Sequence, residues 1–295
     1  MELVNEYNLL AKKENIFRDN IAYLEAYDFS KTNMSNENRM KTITQIASIC
    51  YQNPKAFGSE SLYNRLAAES HSLPSSSFEF VPMLFNYEQL KDDVYALTDV
   101  TIEDTNMLKY GEKVEDGKYL LTNFRAVVYD FENLGIDLRD HFNTKAECQI
   151  IAKHFKVFKM KVDMPTFGQA VRHRINWQVL SRRYVSGSRV PFSFYIADQM
   201  KNIKSYYSID TSETQLDTDS VIYICLEHYK AALAAGVKPQ VARGIIPQCA
   251  YTEAWCAFQP KQFNSFINLR TDQHAQHEIR LLSKAMLELS SEPGA

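Results

Sequence analysis

Between Met164 and Ala197 the sequence holds five arginines (Arg172, Arg174, Arg182, Arg183 and Arg189) and no Asp, Glu or Lys. This local excess of positive charge sits inside a chain whose formal net charge is −3. A planar guanidinium grips a phosphate or carboxylate at two points, where a lysine ammonium offers one. Trp177, Tyr184, Phe192, Phe194 and Tyr195 are interleaved with the arginines, which suits a flat ring ligand that carries phosphate. The alternative is a solvated basic face paired with acids elsewhere in the fold.

Two groups within and beyond this stretch have chemical spacing. On a predicted helix, Arg172 and Arg174 differ by about 200° in direction. They would serve two ligands, with His173 between them as a structural residue. Gln169 and Arg172 are three apart and share a face. Farther on, Arg270, His274 and His277 fall on one face of a second predicted helix whose neighbours are apolar. A cation and two imidazoles there point to something buried, or Arg270 forms a structural pair with Asp272 or Glu278. His274-x-x-His277 is too loose for a metal motif. The five cysteines (Cys50, Cys148, Cys225, Cys249 and Cys256) have neither disulfide nor zinc spacing, and none has a base at motif distance. With nine glycines, the chain has no GxGxxG and no Walker A sequence. Any nucleotide would be held by side chains and helix ends.

The elements that must position these residues are read from periodicity. Helices are predicted over 1–27, 40–51, 61–69, 122–133, 221–235, 240–246 and 263–290, with a loop over 28–40 and a break over 71–77. The long last helix offers Phe263, Phe266, Ile267, Ile279, Leu282, Ala285, Met286 and Leu289 as core. A weak strand is predicted over 77–85, and 86–118 is acidic and unassigned. Residues 158–164 alternate strictly, which predicts an antiparallel strand with one wet face. A helix carrying the first arginines follows Pro165. The expected fold class is α+β, an antiparallel sheet with long helices. The chain has 295 residues, of which 45% are apolar. That is enough for a sizeable core, and no apolar run reaches membrane-spanning length. The first residues lack a signal-peptide pattern, so a cytoplasmic setting without membrane association is expected.

These residues carry a resemblance. Arg172-His173-Arg174 followed by Ser181-Arg182-Arg183-Tyr184 resembles the signature of the flavin-dependent thymidylate synthases. Gly236-Val237 with Val241-Ala242-Arg243 and Ile246-Pro247 resembles a second motif of that family. Phe266-Ile267-Asn268-Leu269-Arg270-Thr271-Asp272-Gln273-His274-Ala275-Gln276 resembles a third. Ser48-Ile49-Cys50-Tyr51-Gln52 is similar to an N-terminal family segment. The resemblance implies an FAD enzyme that converts dUMP to dTMP with NADPH and methylenetetrahydrofolate as co-substrates. It also implies a homotetramer with shared sites, and no nucleic-acid partner. By resemblance, dUMP meets Gln169, Arg172, Ser181, Arg182, Arg183, Arg243 and Arg270. Arg183 and Arg243 clamp its phosphate, and Arg270 faces the uracil ring as the catalytic cation. FAD meets Arg172, His173, Arg174, Gln259, Ser265 and His274, and no metal site is implied.

The sequence departs from the family pattern in places. Six residues, not seven, separate Arg174 from Ser181. Val179 stands where a Glu is common, and Gln259-Pro260-Lys261 where Asn-x-Arg is common. The whole chain reads as one domain with an N-terminal helical extension (about 1–40) and an insertion (about 87–150). Inside the insertion, Thr122-Asn123-Phe124-Arg125-Ala126 contains the Asn-x-Arg pattern missing later. Two other readings are open. One is a same-fold enzyme with altered chemistry, such as a pyrimidine nucleotide hydroxymethylase. The other is a nucleotide- or RNA-binding protein that keeps the arginine cluster. Bound flavin separates the enzymes from the last, and the product formed from dUMP separates the two enzymes.

Overall fold

The computed structural model describes residues 20–31, 34–68, 74–200, 203–209 and 212–291. Strand β1 (Ile21–Ala26) opens this region where a helix was predicted over 1–27. Residues 1–19 of that expectation lie outside the described residues. The strand forms because Leu24 pairs opposite Met160 and Ala26 opposite Phe158, so tertiary pairing overrides a weak helical pattern. Helix α1 (Asn36–Ser48) begins inside the expected loop, capped by the Ser35 hydroxyl, which accepts from the Asn38 N–H. Helix α2 (Glu60–Ala67) lies close to its predicted place. The strand predicted over 77–85 begins late. Ser76–Phe80 is a 3-10 turn, and β2 covers Pro82–Asn86.

The acidic stretch folds as α3 (Tyr87–Thr98), α4 (Asn106–Lys109), β3 (Glu112–Val114) and β4 (Tyr119–Asn123). Then come α5 (Phe124–Leu134), stopped by Gly135 in a left-handed conformation, and α6 (Lys145–His154). Strands β2, β4 and β3 form a small antiparallel sheet in that order. Next come β5 (Lys156–Asp163), α7 (Met164–Ala170) and β6 (Asn176–Val179). The predicted helix of the first arginines therefore ends before them. Arg172, His173 and Arg174 form the turn from α7 into β6, and the opposite-faces argument does not apply. Strands β7 (Lys204–Ile209) and β8 (Ser212–Asp217) form a hairpin. They precede α8 (Thr218–Ala234) and α9 (Pro239–Ala242), which a 3-10 turn, Arg243–Ile245, extends.

Strand β9 (Tyr251–Phe258) was not predicted, since the C-terminal third read as helical. It lies between β5 and β6 in the four-stranded antiparallel sheet β1-β5-β9-β6. Buried on both faces, Ala254-Trp255-Cys256-Ala257-Phe258 shows no alternation to read. One sheet face, with Phe158, Met160, Val162, Ala254 and Cys256, packs on two C-terminal helices. These are α10 (Pro260–Thr271) and α11 (His277–Ser291), where a single helix over 263–290 was expected. Asp272 causes the break: its carboxylate accepts from the His274 backbone N–H at 2.8 Å, competing with helical continuation. Arg270 lies in α10, while His274 sits in the connection and His277 opens α11, so the three do not share one helical face. The other sheet face is covered at one end and half-exposed at Lys159 and Lys161. Val157, Trp255 and Ala257 join the core built by α1, β2, β4, α5 and α6.

Candidate functional site

The turn after α7 and the last turn of α10 meet through Arg270. Its Nε donates to His173 Nε2 at 2.8 Å, and its Nη2 donates to the Gln169 backbone oxygen at 3.0 Å. His173 is in turn seated edge-on against the buried Phe266 ring, with centroids 4.8 Å apart. Burial, then the Arg270 charge, holds the His173 imidazole below its usual value. A neutral ring whose Nε2 accepts from a guanidinium fits that shift. Burial and the nearby Arg172 charge also lower Arg270. The structural pairs weighed for Arg270 are absent among the described residues. Asp272 binds His274 through Nδ1 at 2.9 Å, and neither Asp272 nor Glu278 forms an ion pair with Arg270. Two cations thus stand near one another, with a neutral imidazole and a carbonyl as Arg270's partners. Such an arrangement favours an anion or a developing negative charge.

A cleft of about 530 Å³ opens on the other side of the same turn. Arg174, Ile175 and Asn176 line it, as do Gln259 and Gln262 from the start of α10. Its far wall is Glu79, Lys109, Tyr110, Asn123, Arg125 and Tyr129. Gln262 fixes the α10 end by donating to the Arg174 carbonyl at 3.2 Å and accepting from the Gln259 N–H at 2.9 Å. Arg125 pairs through Nη1 with Glu79, while its buried Nε has no hydrogen-bond partner among the described residues. An unsatisfied buried donor costs about 1–3 kcal/mol, so a missing acceptor is indicated there. Three cations (Lys109, Arg125, Arg174) against two carboxylates (Glu79, Glu112), two tyrosine rings and that orphaned donor suit an aromatic ligand that carries phosphate. Sequence motifs pointed to Arg174 and Gln259 here, and the Asn-x-Arg pattern to Asn123 and Arg125. Glu79, Gln262 and Tyr129 belong to no motif and were missed.

The remaining predicted residues are placed as follows. Ser181 is anchored by its N–H to the Cys50 carbonyl at 3.1 Å, which ties the arginine loop to the end of α1. Arg182 braces that loop. Its Nη1 donates to the Val190 carbonyl at 2.5 Å, and its guanidinium lies 4.1 Å from the Phe192 ring centroid. Arg183 and Arg243 are exposed on separate elements, and Arg172 and Arg174 are exposed on their turn. Ser265 is exposed one turn beyond Gln262, and exposed His274 pairs with Asp272. Burial pushes the Cys148, Cys249 and Cys256 thiols up, away from the thiolate a nucleophile requires.

A family described as "Thymidylate synthase complementing protein" matches residues 144–292, half of the chain. The chain belongs to this family. Among similar proteins, a flavin-dependent thymidylate synthase of Kosmotoga olearia is 28% identical over 146 residues, 45% of this chain and 62% of that protein. The one from Thermotoga neapolitana is 31% identical over 146 residues, 46% of this chain and 62% of its own length. That of Wolbachia pipientis is 29% identical over 170 residues, 52% and 55% of the two chains. The matches thus cover less than two thirds of these relatives. A solved UMP/dUMP methylase from Streptomyces cacaoi, bound with 5-Br UMP, aligns with a TM-score of 0.35 and 20% identity over 45% of this chain and 66% of its own. The stretch that the chain shares with this family runs from α6 through α11. It contains Arg172, Arg174, Arg183, Arg243 and Arg270, and excludes Asn123 and Arg125.

Proposed function

We propose that this chain is a flavin-dependent thymidylate synthase. It would convert dUMP to dTMP, with methylenetetrahydrofolate as carbon donor and NADPH as reductant. The observation that carries the reading is Arg270. It is a half-buried cation tied to a neutral histidine and a carbonyl, with no carboxylate pairing with it among the described residues.

In this reading Arg270 and Arg172 face the uracil ring. They lower the cost of negative charge on the ring as its N–H proton is lost. His173 and the Gln169 carbonyl fix the guanidinium before substrate arrives, so little reorganisation accompanies the reaction. Arg183 and Arg243, both exposed, clamp the nucleotide phosphate, with Ser181 and Arg182 beside it and Gln169 at the base or sugar. Arg172, His173, Arg174, Gln259, Ser265 and His274 hold FAD. When bound, FAD supplies the hydride chemistry that no side chain of the protein can provide.

The clamp arginines sit on separate elements, which fits a site completed by a second copy in a homotetramer. Helix α8 supports this. It buries Ile222, Leu226 and Tyr229, while Val221, Tyr223 and Ile224 are 41%, 49% and 52% exposed on its other sides. Its segment 221–226 is apolar on every side, and exposed apolar surface of this kind calls for cover. No described helix is long and apolar enough to cross a membrane, and a cytoplasmic setting is proposed. The segment 87–150, absent from the family match except at its end, is proposed as an insertion within a single domain.

The test is product analysis. Purified protein given dUMP, methylenetetrahydrofolate and NADPH should release dTMP and restore growth of a thymidine-requiring strain. Formation of a hydroxymethylated nucleotide instead would establish the altered chemistry. Purification without flavin, and without the ability to take it up, would leave a nucleotide-binding protein.

A further inference from the structure

We infer that Arg125, in the segment outside the family match, is a cofactor-binding residue. In this inference the cleft it shares with Arg174 holds the adenosine-phosphate half of FAD. It rests on the flavin reading above and adds a part that the family motifs do not supply. Glu79 takes Nη1 of Arg125, and the buried Nε on the other edge has no hydrogen-bond partner among the described residues. That edge is the fork that binds two oxygens of one phosphate. Arg174, across the cleft, has no side-chain hydrogen bond or ion pair among the described residues. Glu112, the second acid of the lining, accepts from the Lys261 backbone N–H at 3.0 Å. Both acids are thus engaged, while Arg125, Arg174 and Lys109 line the cleft. Tyr110 and Tyr129 offer rings for a base.

The position of Arg125 is fixed by its own element. Asn123 caps α5 by accepting from the Ala126 N–H at 3.1 Å, and this sets Arg125 on the first turn. The Asn-x-Arg spacing therefore has a structural reason. The asparagine starts the helix and the arginine two residues on points into the cleft. Lys261 occupies the corresponding place at the start of α10, where its side chain is exposed beside Glu112.

The experiment titrates flavin-stripped full-length protein with FAD, FMN and NADPH, following flavin or nicotinamide fluorescence. FMN shares the flavin ring and one phosphate with FAD and lacks the adenosine phosphate. Wild type should prefer FAD. Arg125→Gln should lose at least tenfold in FAD affinity, keep its FMN affinity and melt within a few degrees of wild type. Glu79→Gln breaks the same ion pair, keeps the arginine and should retain the preference for FAD. An unchanged FAD-to-FMN ratio in Arg125→Gln overturns the inference while leaving the flavin reading intact. Equal loss of both flavins, or equal loss of the preference in Glu79→Gln, also overturns it by assigning Arg125 a purely structural role. If Arg125→Gln weakens NADPH alone, the cleft holds that molecule's adenosine phosphate and the FAD assignment is wrong. A wild type that binds neither flavin overturns this inference together with the reading on which it rests.

Discussion

His173 accepts from Arg270 Nε, so it must be neutral to hold that guanidinium in place. Its proton affinity is depressed below the ordinary value of 6.5 by burial and by the Arg270 charge. The unfolded chain therefore takes up this proton at a higher pH than the folded chain. The resulting stability is complete above about pH 6.5 and is lost as pH falls from there through the lower folded-state value. His141 is depressed by burial in the same sense, so wild type alone would not isolate the effect. His173→Gln keeps an acceptor near the same place and removes the titration. Thermal melts across pH 5 to 7 should show a smaller acid loss in the variant, and equal losses would take His173 out of the balance. At the phosphate, Arg243→Ala should cost about 1.5–3 kcal/mol of dUMP binding. Deoxyuridine binding should not change. Competition titrations with the two ligands read this difference, and an unaltered preference for dUMP would move the clamp elsewhere.

At the scale of elements, the site depends on α10 lying against β9. Phe266 is fully buried, touches the Phe258 ring at 5.3 Å between centroids and supports His173. Phe266→Ala should cost about 3–5 kcal/mol of stability, read by denaturant unfolding, and should also relax the pH effect by loosening His173. A loss under 1 kcal/mol would mean that the core refills and that the packing argument is wrong. Sequence periodicity was informative where one face alone is buried. It located β5, α5 and its Gly135 stop, and the core positions of α10 and α11. It failed at β9, where burial on both faces erases alternation, and at β1, whose form is set by pairing with β5. It also ran one helix through Asp272, whose local side-chain hydrogen bond to the His274 N–H competes with helical continuation. The motifs point to Arg270, Arg174 and Gln259, although the predicted helix under Arg172–Arg174 is a turn. Contacts such as Gln262 to the Arg174 carbonyl join residues distant in sequence and leave no local trace.

For the whole molecule, the exposed apolar faces of α8 and of Val237, Val241 and Ile245 are the surfaces to be covered in the proposed homotetramer. Sedimentation should give four copies for wild type, and Ile224→Glu should lower that number without abolishing the fold. A monomeric wild type would require the whole site to be built from one chain. The central claim is that an unneutralised Arg270 makes the uracil ring reactive. The direct measurement is a single-turnover mixing experiment on reduced wild type and Arg270→Gln, following flavin oxidation after addition of dUMP and methylenetetrahydrofolate, with dUMP affinity measured on the same samples. Arg270→Gln should fold and still bind dUMP through Arg183 and Arg243. Its oxidation rate should fall by far more than its affinity, the pattern of an interaction that strengthens as charge develops. A variant that binds dUMP and oxidises its flavin at the wild-type rate would contradict the central claim.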